Sequence, residues 1–197
     1  MADFVRVMLR DRWATIFLSL GWIHLAVFSI SQVFYSHGNR SKTLFPALWA
    51  LEFGANLWVI RKIAGAGWYR SSPFVGILVR VWATFLILSF NVASLNTLTG
   101  FTLDWFKSVW TTLSTFGFAT TAYLISPWFF VPAVFMYFTG LLMATNPDWN
   151  YAIYGIAWWT ILESFGILLI RRSRRSNPEN ELVYKMTDSI TPEEIPA

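Results

Sequence analysis

The chain reads as an all-α membrane protein, a bundle of six transmembrane helices with both termini in the cytoplasm. Three observations predict it. Of its 197 residues 55% are hydrophobic and only 13% are charged, with a mean hydropathy of +0.48, whereas soluble proteins carry about 25% charged residues. Apolar stretches of about 20 residues recur, the length that crosses a hydrocarbon core. The basic residues gather at alternate ends of those stretches, as orientation in a bilayer requires.

Residues 1–12, MADFVRVMLRDR, interleave Arg6, Arg10 and Arg12 with Phe4, Val5, Met8 and Leu9, the pattern of a short interfacial helix. The membrane domain follows at 13–170. Its first span, Trp13 to Tyr35, is too long for the apolar core of a signal peptide and lacks a small-residue cleavage pattern after it. The polar run SHGNRSK separates it from a second span, Thr43 to Ile63, with Pro46 near its start, where proline is tolerated. A basic glycine-rich loop, RKIAGAGWYRSSP, precedes the third span, Phe74 to Leu98. The fourth runs from Ser108 to Ile125 and stops at Ser126-Pro127. A fifth, Trp128 to Thr145, carries Pro132, where a kink is expected, and NPDWN makes the turn into the sixth, Tyr151 to Ile170. RRSRR then opens a tail, 171–197, that is basic, then acidic and polar, and reads as disordered.

Six spans with both ends inside put eleven basic residues in the cytoplasm: Arg6, Arg10, Arg12, Arg61, Lys62, Arg70, Arg171, Arg172, Arg174, Arg175 and Lys185. Outside lie Arg40, Lys42 and Lys107, and Arg80 falls within a span. That imbalance favours this orientation, and the expected location is a bacterial inner membrane. Trp and Tyr at 13, 35, 68, 69, 105, 110, 128, 149 and 151 sit near predicted boundaries as interfacial anchors.

Much chemistry is excluded. The absence of Cys removes disulfides, thiol nucleophiles and Cys-ligated metals. The two histidines, His24 and His37, lie thirteen residues apart on one predicted helix and cannot ligate both faces of a haem. No cofactor or metal is therefore implied. The net charge of +4 is accounted for at membrane boundaries and does not imply nucleic acid. HExxH, GxSxG and His/Asp clusters are missing, so no enzyme is expected.

The residues that ask for a function are polar ones inside the membrane. WALEFGANLWVIRK, from Trp49 to Lys62, is echoed by WTILESFGILLIRR, from Trp159 to Arg172. Each places a glutamate in an apolar span, where an ionised group costs about 2.5 to 3.5 kcal/mol on insertion scales. At about 1.5 Å of rise per residue, Glu52 lies roughly 15 Å from the cytoplasmic boundary and His24 roughly 18 Å. Arg80 and Glu163 lie at roughly 10 to 12 Å. Depth thus pairs His24 with Glu52 and Arg80 with Glu163. Helical spacing collects Trp49, Glu52 and Asn56 on one face of the second span, and Arg80, Thr84, Asn91 and Ser94 on one face of the third. These stripes are expected to face one another. The echo also raises an internal repeat of hairpins, spans one and two against five and six, with a site at the interface.

The reading with most support is a small transporter or channel-like carrier whose intramembrane glutamates couple to the movement of a proton or an organic cation. Its site residues are Glu52, Glu163, His24, Arg80, Asn56, Asn91, Trp49 and Trp159, the tryptophans, with Trp58 and Trp158, offering aromatic faces to a cation. The substrate is otherwise unspecified, and a homo-oligomer fits. The alternative is a non-catalytic subunit, assembly factor or scaffold of a larger membrane complex, in which buried charge specifies helix packing. A third reading rests on TTLSTFGFATT at 111–121, which loosely resembles the potassium-channel selectivity filter, with Phe116-Gly117-Phe118 standing where Val-Gly-Tyr would be. That resemblance implies a re-entrant pore loop and a cation channel. It departs at Ala119, where the family has its second glycine, and it would place RRSRR outside.

Overall fold

A computed structural model describes residues 12–39, 41, 43–98 and 106–175. Among these the only long elements are six α-helices: α1 Trp13–Ser36, α2 Leu44–Ala64, α3 Pro73–Leu98, α4 Phe106–Leu124, α5 Phe130–Thr145 and α6 Asn150–Arg175. Short 3-10 turns at Trp68–Arg70, Pro127–Phe129 and Pro147–Trp149 join neighbours. Each helix lies within a few residues of the span expected from the sequence, because a run of apolar side chains without internal breakers leaves the backbone no better way to satisfy its hydrogen bonds in lipid. Four stretches are long and apolar enough to cross a membrane: Trp13–Ser36, Pro73–Asn96, Pro127–Thr145 and Pro147–Ser173. α2, with Glu52, Arg61 and Lys62, and α4, with its many hydroxyls, are not among them.

Several local expectations change. Pro132 lies in the first turn of α5, where its missing N–H has no intrahelical partner to lose, so it starts the helix rather than kinking it. The basic run from Arg171 continues α6 to Arg175 instead of opening the tail. The expected interfacial helix at 1–12, apart from Arg12, and the tail beyond 175 lie outside the described residues. Residues 111–121 are continuous α-helix within α4, so the extended strand of a selectivity filter is not formed.

Two buried clusters fix how the helices run. One gathers Trp13 and Ile16 of α1, Val75 of α3, Phe118 and Ala122 of α4, Ala133 of α5 and Leu169 of α6, with Ile60 and Ile63 of α2 against it. The other gathers Phe28, Phe45, Trp110, Met143 and Tyr151, with Val92 beside them. The first cluster therefore takes the starts of α1, α3 and α5 and the ends of α2, α4 and α6. Successive helices alternate in direction.

α1 and α6 form the most extensive contact. They run antiparallel, Phe28 against Gly155, Gly21 against Trp159 and Leu162, Leu18 and Ala14 against Gly166. Glycine permits this approach: a methyl group on Gly155 would stand 2.7 Å from the Phe28 Cβ, and one on Gly166 would stand 2.6 Å from Leu18 Cδ2. Small residues at a helix crossing let dispersion contacts and backbones close up where lipid supplies no hydrophobic drive. α2 packs on α1, α3 on α4, and α5 on both α4 and α6.

Gln32 locks the spine at the end where α6 begins. Its amide nitrogen donates to the Asp148 carbonyl at 2.7 Å, and its amide oxygen accepts from the Ala152 N–H at 3.1 Å, one of the orphan donors of a helix start. Gln32→Ala removes both part-buried hydrogen bonds and is expected to cost about 1 kcal/mol, and Gln32→Glu, which keeps the acceptor but sets a carboxylate oxygen against the Asp148 carbonyl, should cost more. Thermal unfolding of the two variants in one detergent tests that order.

Candidate functional site

His24 and Glu52 meet in the interior of the bundle. The His24 Nδ1 lies 2.5 Å from the Glu52 Oε1, across the α1–α2 interface. One proton lies between them, whichever group carries it. The depth argument thus holds for this pair, with Glu52 buried and His24 largely so.

The pair is enclosed by aromatic rings. The imidazole stacks on Phe28, one turn along α1, at 4.3 Å between centroids, and tilts against Tyr154 at 5.8 Å and Trp158 at 5.7 Å. Tyr154 and Trp158, four residues apart, share one face of α6. Behind them Trp110 of α4 packs on Phe28 and Tyr154. The Ser114 hydroxyl donates to the Trp110 carbonyl at 2.8 Å, which leaves it to accept from the Tyr154 hydroxyl at 3.0 Å. The second imidazole nitrogen, Nε2, is buried and has no hydrogen-bond partner among the described residues. Trp49 Nε1, Asn56 Oδ1 and Trp158 Nε1 around the site are likewise buried without a hydrogen-bond partner among the described residues.

On α2 the stripe Trp49, Glu52, Asn56 does point into the bundle. Trp49 packs edge-on to Trp110 at 4.7 Å, and the Asn56 Oδ1 is buried without a donor among the described residues. It faces α1, however, not α3. Arg80, Thr84, Asn91 and Ser94 of α3 are all exposed, because Leu78, Trp82 and Phe85 turn the opposite side of that helix to the core. Arg80 and Asn91 therefore do not belong to the His24–Glu52 site.

Glu163 and Arg80 are not paired within the chain. Glu163 lies beside Gly21 of α1, its Oε1 buried and without a hydrogen bond from any described residue. Trp159 packs edge-on against the exposed Trp22 at 5.6 Å. Of the four tryptophans expected around the acids, Trp158 alone touches His24; Trp58 is exposed and carries Lys62 over its ring at 4.9 Å. The echoed segments thus end in unlike surroundings, one acid hydrogen-bonded in an aromatic box and the other unpaired at a helix margin.

Three of the expected interfacial anchors are core residues instead. Trp13, Trp110 and Tyr151 are buried. Lys107, expected outside, is also buried, with its ammonium 3.5 Å from the centre of the Tyr35 ring and 5.0 Å from that of Tyr151. Phe28 and Tyr154 were legible as site residues by helical spacing from His24 and Trp158. Among the described residues no group of three His, Asp or Glu gathers as metal ligands do. Comparison with protein-family models, with curated proteins and with solved structures gives no match.

Proposed function

We propose that this chain is a small proton-linked membrane carrier, with all six helices crossing the bilayer, the end bearing Arg61, Lys62, Arg171 and Arg172 in the cytoplasm, and His24–Glu52 as its proton-binding pair. The observation that carries this reading is the 2.5 Å contact between an imidazole and a carboxylate inside an aromatic box, with Nε2 left unpartnered. In one protonation state Nε2 is an acceptor without a donor; with one more proton it becomes a donor without an acceptor. Neither state is satisfied by Phe28, Tyr154 or Trp158 as they stand, and a buried polar atom without a partner costs about 1 to 3 kcal/mol. Uptake or release of a proton is thus tied to movement of α6 against α1, which bear those rings. The filled surroundings favour a proton over an organic cation at Glu52. α2 and α4, though less apolar than the rest, hold their polar groups against neighbouring helices and so cross within the bundle.

The test is acidification of liposomes containing the purified protein, followed with a trapped pH dye under an imposed potential. Wild type is expected to move protons and Glu52→Gln to lose at least nine-tenths of that flux, on the order of the tenfold that 1.4 kcal/mol represents. Undiminished flux through Glu52→Gln would remove the pair from the mechanism. The subunit or scaffold reading draws on one observation, the exposed polar face of α3.

A further inference from the structure

α3 is the least buried of the four long apolar stretches, yet its outer face is polar in a regular way. Arg80, Thr84, Ile87, Asn91, Ser94 and Leu98 follow at alternating intervals of four and three, and all are exposed. That interval is the seam along which one helix packs lengthwise on another. Thr84 and Ser94 satisfy themselves by donating to Arg80 and Phe90 carbonyls. The side chains of Arg80 and Asn91 make no hydrogen bond or ion pair with a described residue. A cation facing lipid one-third of the way into a span lacks the counter-charge such positions normally find.

The missing counter-charge is present elsewhere in the same chain. Glu163 lies at the margin of the outward face of α6, in line with Trp149, Ile156, Thr160 and Ile167, again at intervals close to three and four. Trp82 and Phe85 meet Trp158 within one chain, and α3 and α6 run in opposite directions, so Arg80 and Glu163 stand within about one helical turn of the same height. They are on different sides of the bundle and cannot meet there. Beside the α6 stripe an open apolar groove of about 310 Å³ runs between α5 and α6, floored by Ile153, Ile156 and Ala157.

We infer that α3 of one copy of this chain packs against α6 of a second copy, with Arg80 paired to the partner copy's Glu163. Both charges find their complement at the depth where each lies, and the antiparallel register sets Ile87 against Ile156, beside the groove. The contact joins two different surfaces, so its repetition around an axis builds a ring where the rotation closes.

The absence of cysteine provides a clean background for the test. Chains carrying Ile87→Cys and Ile156→Cys, residues 69% and 54% exposed, are co-expressed with different tags and oxidised in native membranes. A disulfide-linked species bearing both tags is expected. Ile87–Ile87 linkage alone, linkage only to a different polypeptide, or no linkage overturns the inference. Because both charges stay intact, this result does not depend on folding of a charge mutant. Added to the cysteine chains, Arg80→Glu or Glu163→Arg should lower the doubly tagged yield about tenfold, and the two reversals together should recover it. Equal losses without recovery also overturn the pairing.

Discussion

Glu52→Ala is expected to destabilise the protein by about 3 kcal/mol, more than truncation of an exposed side chain of the same size. Glu52 is the partner in the one hydrogen bond made by the imidazole, and without it both His24 ring nitrogens are stranded among Phe28, Tyr154 and Trp158. Removing one member of a buried pair leaves the other uncompensated, which costs about 3 to 5 kcal/mol in protein interiors. The same argument requires recovery when both polar groups go. His24→Phe with Glu52→Leu fills the space with apolar atoms and keeps a ring on Phe28, so the double variant should unfold at a higher temperature than Glu52→Ala. Melting in detergent, followed by tryptophan fluorescence, reads both changes. A double variant no more stable than Glu52→Ala would mean that packing, not the hydrogen bond, dominates the site. Stability and proton flux are expected to separate here, the double variant being stable and inactive.

Gly155→Ala is the second large change. Its methyl group would meet Phe28 Cβ at 2.7 Å, and Cβ cannot swing aside as a side-chain terminus does, so α1 and α6 must part. Overpacking of this kind costs about 1 to 3 kcal/mol, and Gly155→Leu should prevent recovery of folded protein. Gly54→Ala provides the opposite sign. Nothing lies within 4 Å of the added carbon, and replacing glycine in a helix interior by alanine gains about 0.5 to 1 kcal/mol. If both alanine variants shift the melting temperature in the same direction, the close approach at Gly155 does not govern the α1–α6 contact.

The sequence makes the height of a residue along the bundle legible and leaves its bearing around the bundle undetermined. Counting residues from a charged boundary finds His24 and Glu52 at one depth, and they bond. The same counting brings Arg80 and Glu163 level, yet one looks outward from α3 and the other lies beside Gly21. What separates the two cases is which helices are neighbours: α1 packs on α2, whereas α2 and α3, consecutive in the chain, share little contact. Helical spacing correctly groups Trp49 with Glu52 and Asn56, but a stripe does not announce what it faces. Gly155 and Gly166, three turns apart on α6, and Gly21 on α1 were a visible signal for the spine. Gln32 was less so, since a glutamine near a helix end is ordinary until the start of α6 arrives beside it.

The spine joins the first of the described helices to the last. During synthesis α1 is made long before residues 150–175, so the face that receives Gly155 and Gly166 waits without its partner. His24 and Glu52, only 28 positions apart, are available to each other early, but Tyr154 and Trp158 arrive at the end. Until then the polar pair lacks its aromatic wall. Completion of the bundle is therefore a single late event, and a chain halted before α6 is left with its polar pair unsealed.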